Sequence, residues 1–434
     1  MSQTMVGVIG IALLIIMFFT RMPVAYVMTL VGYLGFSYLV SPEAGLKLLA
    51  RDFYDIYSSY GLTVIPLFIF MGQIAFNAGI SRRLYDSAYK MVGSYRGGLA
   101  TATVFACMAF GAVCGSSPAT AATMATVGLP EMRRYGYGDE LSAGTVASGG
   151  SLGMLMPPSV VMIVYGILTE QSIGALFVSG ILPAVFMTLI FAATVVLYCW
   201  IYPEQGPAGQ RHPWSERLRS LSETGETMAV FVLVMGGLFL GVFTPNEAGA
   251  VGSASVLVVA LLRRQLTWAG FVKSIYETLR TSCMVLLLVA GAVIFGHFLA
   301  VTRIPFNVAS WVASFDWPGY AIIALIVLVY LIGGCFIDAL ALIMLTIPIF
   351  YPIIVNLGYD PIWFGVIIVL VTQMGVITPP VGINVYVVNG IAQDIPLEKI
   401  FKGALPFLLA LVAGTAAIVA FPGLATWLPR LMYR

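Results

Sequence analysis

Charge is scarce in this sequence. Only 9% of its 434 residues are Asp, Glu, Lys or Arg. A soluble domain carries about 25%, so there is too little charge to cover a water-exposed surface of this size. Intrinsic disorder and coiled coil are excluded on the same ground. Histidine is scarcer still: His212 and His297 are too few for a His-based metal centre. The five cysteines are scattered with no C-x-x-C spacing, which argues against a disulfide scaffold or a zinc site. No G-x-x-x-x-G-K-[ST] run supports a nucleotide-driven pump. Neither a His/Asp/Glu cluster nor a Ser–Lys pair points to an intramembrane enzyme. Net charge is only +2, and no basic patch with interleaved aromatics marks a nucleic-acid binder. The first apolar run lacks an upstream basic region and a small-residue cleavage site. It reads as a spanning helix rather than a cleaved signal.

What is abundant is apolar sequence, 60% of the chain. Runs near the ~20 residues needed to cross a bilayer recur along its length, which predicts an all-α polytopic membrane protein. A β-barrel would show short alternating segments instead. Uninterrupted runs cover 5–20, 24–40, 61–80, 174–201, 227–243, 248–262, 281–300 and 402–421. Four longer segments are interrupted. Residues 97–132 break at Gly115-Ser116-Ser117-Pro118, and 140–168 at Met156-Pro157-Pro158. Residues 319–355 break between Gly333 and Asp338, and 361–390 at Thr378-Pro379-Pro380. Two polar stretches, 41–59 and 263–280, read as interfacial helices. The most polar stretch, 203–226, divides the chain into halves 1–202 and 227–434.

The halves repeat. A shift of 222 positions places Gly111 on Gly333, Ala119 on Ala341, Pro130 on Pro352 and Gly136-Tyr137 on Gly358-Tyr359. It also places Gly153 on Gly375 and Pro157-Pro158 on Pro379-Pro380, without a gap. Matched broken segments in two halves are the signature of a secondary transporter. Charge then orients the chain. If 97–132 and 319–355 are re-entrant helical hairpins and all other runs cross once, a chain starting outside leaves only Lys47, Arg51, Arg303, Arg430 and Arg434 outside, out of 21 Lys and Arg. The count gives ten crossings, two hairpins, two broken helices, an inverted repeat and both termini outside. It places Gly136–Asp139 inside and Asp316–Pro318 outside.

A break at membrane depth is tolerable only where protein or a cavity surrounds it. Each break leaves carbonyls at one half-helix end and N–H groups at the next start. Carbonyls suit Na⁺, and the positive helix end suits a carboxylate. Prolines 157, 158, 379 and 380 add no N–H. Ser116, Ser117, Thr120 and Thr123 supply polar side chains at the first break, and Thr378 and Asn384 at the fourth. Asp338 lies deep in an apolar segment and matches Ser116 under the shift. An acid so placed is paired or cation-bound, either as a Na⁺ ligand or as a proton carrier. Hard oxygen donors favour Na⁺. Glu247, after Thr244-Pro245-Asn246, reads as a helix cap, and His297 as a packing or interhelical hydrogen-bonding residue.

The segments Gly115-Ser-Ser-Pro-Ala-Thr120, Gly149-Gly-Ser-Leu-Gly-Met-Leu-Met-Pro-Pro158 and Thr378-Pro-Pro-Val-Gly-Ile-Asn384 resemble the large membrane subunit of tripartite ATP-independent periplasmic (TRAP) transporters. The likeness spans nearly the whole chain. It implies Na⁺-driven import of a small organic acid: a dicarboxylate, a sialic or other sugar acid, or a sulfonate. It implies an elevator, in which a scaffold (helices within 1–80 and 227–300) embraces a moving domain of hairpins and broken helices. It implies a small four-helix membrane subunit, here a separate polypeptide, and a periplasmic binding protein, in a bacterial or archaeal cytoplasmic membrane. The sites it implies are Na⁺ at Ser116, Ser117, Met156, Asp338 and Thr378, and substrate at Thr120, Pro157, Pro158, Pro379, Pro380 and Asn384. The alternative reading is an ion-coupled carboxylate carrier or channel that works without a binding protein.

Overall fold

The computed structural model describes residues 2–18, 22–313 and 317–432. Arg21 and Arg434, which entered the charge count, and Asp316 lie outside the described residues. Among those described, the chain is helical without strands. The first half contains α1 (Gln3–Phe18), α2 (Val24–Leu39), α3 (Pro42–Ser58), α4 (Val64–Asn77), α5 (Ile80–Val92), α6 (Gly98–Cys114), α7 (Ser117–Arg134), α8 (Asp139–Ser151), α9 (Val160–Thr169) and α10 (Ile173–Ile201). The second contains α11 (Trp214–Phe239), α12 (Pro245–Leu262), α13 (Trp268–Thr302), α14 (Ile304–Ala313), α15 (Gly319–Gly334), α16 (Ala339–Asn356), α17 (Pro361–Gly375), α18 (Ile383–Ile391), α19 (Leu397–Ala420) and α20 (Gly423–Met432).

Among the described residues six stretches are long and apolar enough to cross a membrane, and the bent α11 makes seven; one of these, α16, is an arm of a segment expected to be a re-entrant hairpin, so six of the ten expected crossings are matched. The others among the ten expected crossings fall short for two reasons. Helices α1 and α2 have 16 residues each, about 24 Å at 1.5 Å per residue, against a hydrocarbon core of about 30 Å. The broken segments divide into half-helices.

Local chemistry fixes the helix ends. Ser41 Oγ accepts the Ala44 N–H (3.2 Å) and Pro42 opens α3. Thr244 and Glu247 form a capping box at α12, the role expected of Glu247. His297 Nδ1 lies 2.9 Å from Asp52 Oδ2, so this histidine ties α13 to α3.

Two expectations need correction. The stretch 263–280 is no separate interfacial helix. From Trp268 it runs on into α13, a continuous helix of 35 residues, or about 52 Å, because no proline interrupts it. The polar stretch 203–226 is also only partly a linker. Its second half is the start of α11, while its first half is pinned by Gly97 N–H to Gly206 O (2.9 Å) and Gly138 N–H to Gln205 O (3.0 Å). Helices α5, α14 and α20 were not foreseen.

The four interrupted segments fold alike in pairs. Helices α6 and α7 double back on each other: Thr103 near the start of α6 meets Met132 near the end of α7 (3.8 Å), and Leu99 N–H donates to Tyr137 Oη (3.1 Å). In α15 and α16 the Tyr330 and Phe350 rings lie 5.8 Å apart, and Tyr359 covers Gly319. Glycines near the breaks make close contacts, with Gly334, next to the Gly333 that matches Gly111, taking part in the second half. A Cβ on Gly111 would stand 2.6 Å from Gly153 Cα, and one on Gly375 would stand 2.6 Å from Gly334 Cα. Each hairpin thus lies backbone to backbone against its own broken helix, at a distance only glycine permits. Gly136 and Gly358 both turn at positive φ, +78° and +76°, and both repeated Pro-Pro bonds are cis.

Candidate functional site

The breaks converge. Gly115, at the tip of the first hairpin, has φ +64°, and a Cβ there would lie 2.3 Å from the Pro158 carbonyl oxygen. Its own carbonyl receives the Val160 N–H at 3.5 Å. In the second half the Cys335 carbonyl receives the Val381 N–H at 3.2 Å. Each tip therefore rests on the break of its neighbouring helix. The backbone groups freed by the interruptions partly satisfy one another, as membrane depth demands.

A cavity of about 310 Å³ opens where these tips meet α4 and α13. The first tip contributes Gly115 to Ala119, and the second Asp338, Ala339 and Leu340. The broken helices add Met154, Val160, Val161 and Val376. The opposite wall is Ile69, Gly72 and Gln73 of α4 with Thr281, Met284 and Val285 of α13. Asp338 is the charged residue of this lining, which contains no Lys, Arg or His.

The helix starts at the cavity differ. Asp338 caps α16, its Oδ2 accepting the Leu340 N–H at 3.0 Å. At α7 the N-cap is Ser116, whose side chain makes no capping bond. The first N–H groups of α7 thus face the cavity without a side-chain acceptor. A helix start in that condition attracts an anion. No cluster of three His, Cys, Asp or Glu side chains exists among the described residues. A cation here would rest on hydroxyl, carbonyl and the one carboxylate oxygen donors, the set suited to Na⁺ rather than to a transition metal.

Of the residues singled out in the sequence, Ser116, Ser117 and Asp338 line this cavity. The others stand around it. Thr120 Oγ1 donates to the Ser116 carbonyl (2.8 Å), one turn below the tip. Met156, Pro157 and Pro158 are buried behind Gly115. Thr378 Oγ1 donates to the Met374 carbonyl (2.6 Å), while Pro379 and Pro380 are exposed. Asn384 is fully buried with its amide committed: Oδ1 accepts from Ser117 Oγ (3.0 Å) and Nδ2 donates to the Ala147 carbonyl (2.8 Å). It joins the first hairpin, the first broken helix and the second.

Sequence reasoning passed over the opposite wall. Gln73 is a polar residue inside an apolar run and could have been flagged. Met284 and Val285 carry no signal at all. Gln373 was also missed: it is fully buried, and neither amide atom has a hydrogen-bond partner among the described residues.

The chain is 36% identical over 392 residues to the C4-dicarboxylate TRAP transporter large permease protein DctM of Pseudomonas aeruginosa, covering 90% of this chain and 91% of that one. It is 34% identical over 370 residues to the isethionate TRAP transporter permease protein DctMQ of Oleidesulfovibrio alaskensis, covering 84% of this chain and 58% of that one. Its fold is shared with the Alcanivorax borkumensis YdaH transporter, at 13% identity and a TM-score of 0.63, over 89% and 90% of the two chains. These relatives are permeases and transporters, not enzymes. Residues 11–424 match the family described as tripartite ATP-independent periplasmic transporter, DctM component, and the chain belongs to that family as a multi-pass large permease subunit.

Proposed function

We propose that the chain imports a small organic acid anion with Na⁺ by an elevator motion, in a bacterial or archaeal cytoplasmic membrane with both termini periplasmic. The observation that carries this reading is the cavity itself. The tips of both hairpins and the breaks of both broken helices meet there, against the faces of α4 and α13. Hairpins and broken helices, locked together through Asn384 and the glycine contacts, form the moving body. The α4 and α13 wall is mostly apolar, so one face slides over the other without breaking hydrogen bonds. The two halves are inverted relative to each other, as the charge distribution requires.

Na⁺ supplies the positive charge that the lining lacks. Its ligands are the oxygens of Ser116, Ser117 and Asp338, with backbone carbonyls near Met156 and Thr378. The carboxylate or sulfonate then sits over the start of α7, near Thr120 and between the Pro157-Pro158 and Pro379-Pro380 breaks. Asp338 and the anion would repel without the cation, so Na⁺ binds before or with the substrate. Relatives named for a C4-dicarboxylate and for isethionate set the chemical range. A periplasmic binding protein delivers the anion. A small membrane subunit enlarges the scaffold beside α3 and the first half of α13; in the longer isethionate relative that part can belong to the same chain.

The test is uptake in proteoliposomes containing the permease and its partners, with Na⁺ and proton gradients imposed separately. Uptake should follow the Na⁺ gradient. Uptake driven by protons alone and indifferent to Na⁺ would reject the coupling.

A further inference from the structure

We propose that the groove between α10 and α19 binds one membrane phospholipid with a net-neutral, ammonium-bearing headgroup. The groove has a volume of about 880 Å³ and lies outside the transport cavity. Both helices are long and apolar enough to cross a membrane, so lipid is the medium this face meets.

Its length and polarity fit a single acyl chain. On α19 it runs from Lys402 to Ala413, about 16 Å at 1.5 Å per residue. One leaflet's half of the hydrocarbon core is about 15 Å. The helices are clasped behind the groove by the Phe191 and Phe407 rings, 5.2 Å apart. In front, Leu197, Leu405 and Leu409 form exposed walls. The one hydroxyl midway, Thr194, donates to its own helix at the Ile190 carbonyl (2.9 Å), so the middle of the groove offers an acyl chain nothing polar.

One end only is polar. Lys402 Nζ pairs with Glu140 Oε1 at 3.0 Å, beside the exposed Tyr202. Tyrosine at this position matches the headgroup level of a bilayer. Pro406, one turn after Lys402 within α19, has no N–H to offer the Lys402 carbonyl, which leaves an acceptor at the same end. A phosphate fits Lys402 and the Tyr202 hydroxyl. An ammonium fits Glu140 and the Lys402 carbonyl. The rim carries one positive and one negative charge, so a zwitterion complements it, whereas an anionic headgroup would also face Glu140.

The purified full-length protein in mild detergent would be titrated with phosphatidylethanolamine and phosphatidylglycerol of identical chains and read by native mass spectrometry. One bound ethanolamine lipid is expected, retained at severalfold lower concentration than the glycerol lipid. Leu409→Trp, which fills the groove from its lipid-facing wall, should lose that lipid. Leu261→Trp, on an exposed position of α12, should keep it. Glu140→Gln should abolish the headgroup preference. A phosphatidylethanolamine with a diazirine in its acyl chain should label 190–202 or 405–413 in the unmutated protein. Labelling confined to other helices, or unchanged lipid retention in Leu409→Trp, would overturn the site. Preference for the glycerol lipid would overturn the headgroup assignment.

Discussion

Ser117 Oγ donates to Asn384 Oδ1 at 3.0 Å, across 267 residues of chain. The bond fastens the tip of one half's hairpin to the broken helix of the other. Asn384 also holds the Ala147 carbonyl at 2.8 Å, so one buried amide links three of the four interrupted segments. Ser117→Ala orphans one acceptor. Asn384→Ala leaves the buried Ser117 hydroxyl without its acceptor, withdraws the side-chain donor from the Ala147 carbonyl of α8 and removes packing. An unsatisfied buried group costs about 1–3 kcal/mol. Asn384→Ala should therefore lower the melting temperature in detergent more than Ser117→Ala does. The double variant should lose less than the sum, because the two residues share a bond. Additive losses would mean that the bond contributes little.

Gly115 faces two constraints at once. Its φ is +64°, and a side chain would meet the Pro158 carbonyl at 2.3 Å. A non-glycine residue at such a φ costs about 1 kcal/mol or more, and the clash adds to it by displacing the tip. Gly115→Ala should reach the membrane but lose most transport, with a lowered melting temperature. Gly225→Ala has open space around its Cβ and serves as the neutral control. Normal uptake by Gly115→Ala would show that the tip need not rest on the neighbouring break.

Arg133 joins three segments at the far end of the first hairpin. Its Nε lies 3.1 Å from Asp139 Oδ1, and its Nη2 lies 2.6 Å from Asp394 Oδ2. The hydrogen bond from Arg133 is the main reason the Asp394 carboxyl titrates below its ordinary value. A depressed carboxylate contributes stability above its unfolded pKa, near 3.9, and loses it as pH falls through the lower folded value. Thermal stability should thus decline below about pH 4, and Asp394→Asn should flatten part of that decline. The pair is exposed, so the effect is modest and shrinks with salt. An identical acid profile in Asp394→Asn would remove this pair from the account.

The helical, membrane-embedded class and the positions of all four breaks were legible in the sequence. Both follow from apolar run length and from glycine and proline, which act locally. Three glycines that the 222-residue shift picks out, Gly111, Gly153 and Gly375, stand where backbones touch, although Gly375 meets Gly334 rather than the Gly333 that matches Gly111. The α13 continuity was not, because polar residues such as Lys273 and Glu277 suggest an ending where no helix breaker exists. The wall opposite the hairpin tips was equally hidden. Met284 and Val285 look like any other spanning residue until folding sets them against Asp338. Asn384 was singled out for substrate, and only the three-dimensional arrangement reveals its two internal bonds.

The central claim is that Asp338 holds the transported cation. The most direct measurement is Na⁺-dependent substrate uptake in proteoliposomes, titrated with Na⁺ for the unmodified protein, Asp338→Asn and Ser116→Ala, each with its partners. Asparagine keeps the size and one acceptor oxygen and can still cap α16, so folding should persist. Half-saturating Na⁺ should rise markedly in Asp338→Asn, and less in Ser116→Ala, which removes only a neutral ligand. By linkage, raising Na⁺ should restore part of the substrate affinity that each variant loses. An unchanged Na⁺ titration in Asp338→Asn would contradict the account and leave Asp338 as a helix cap alone.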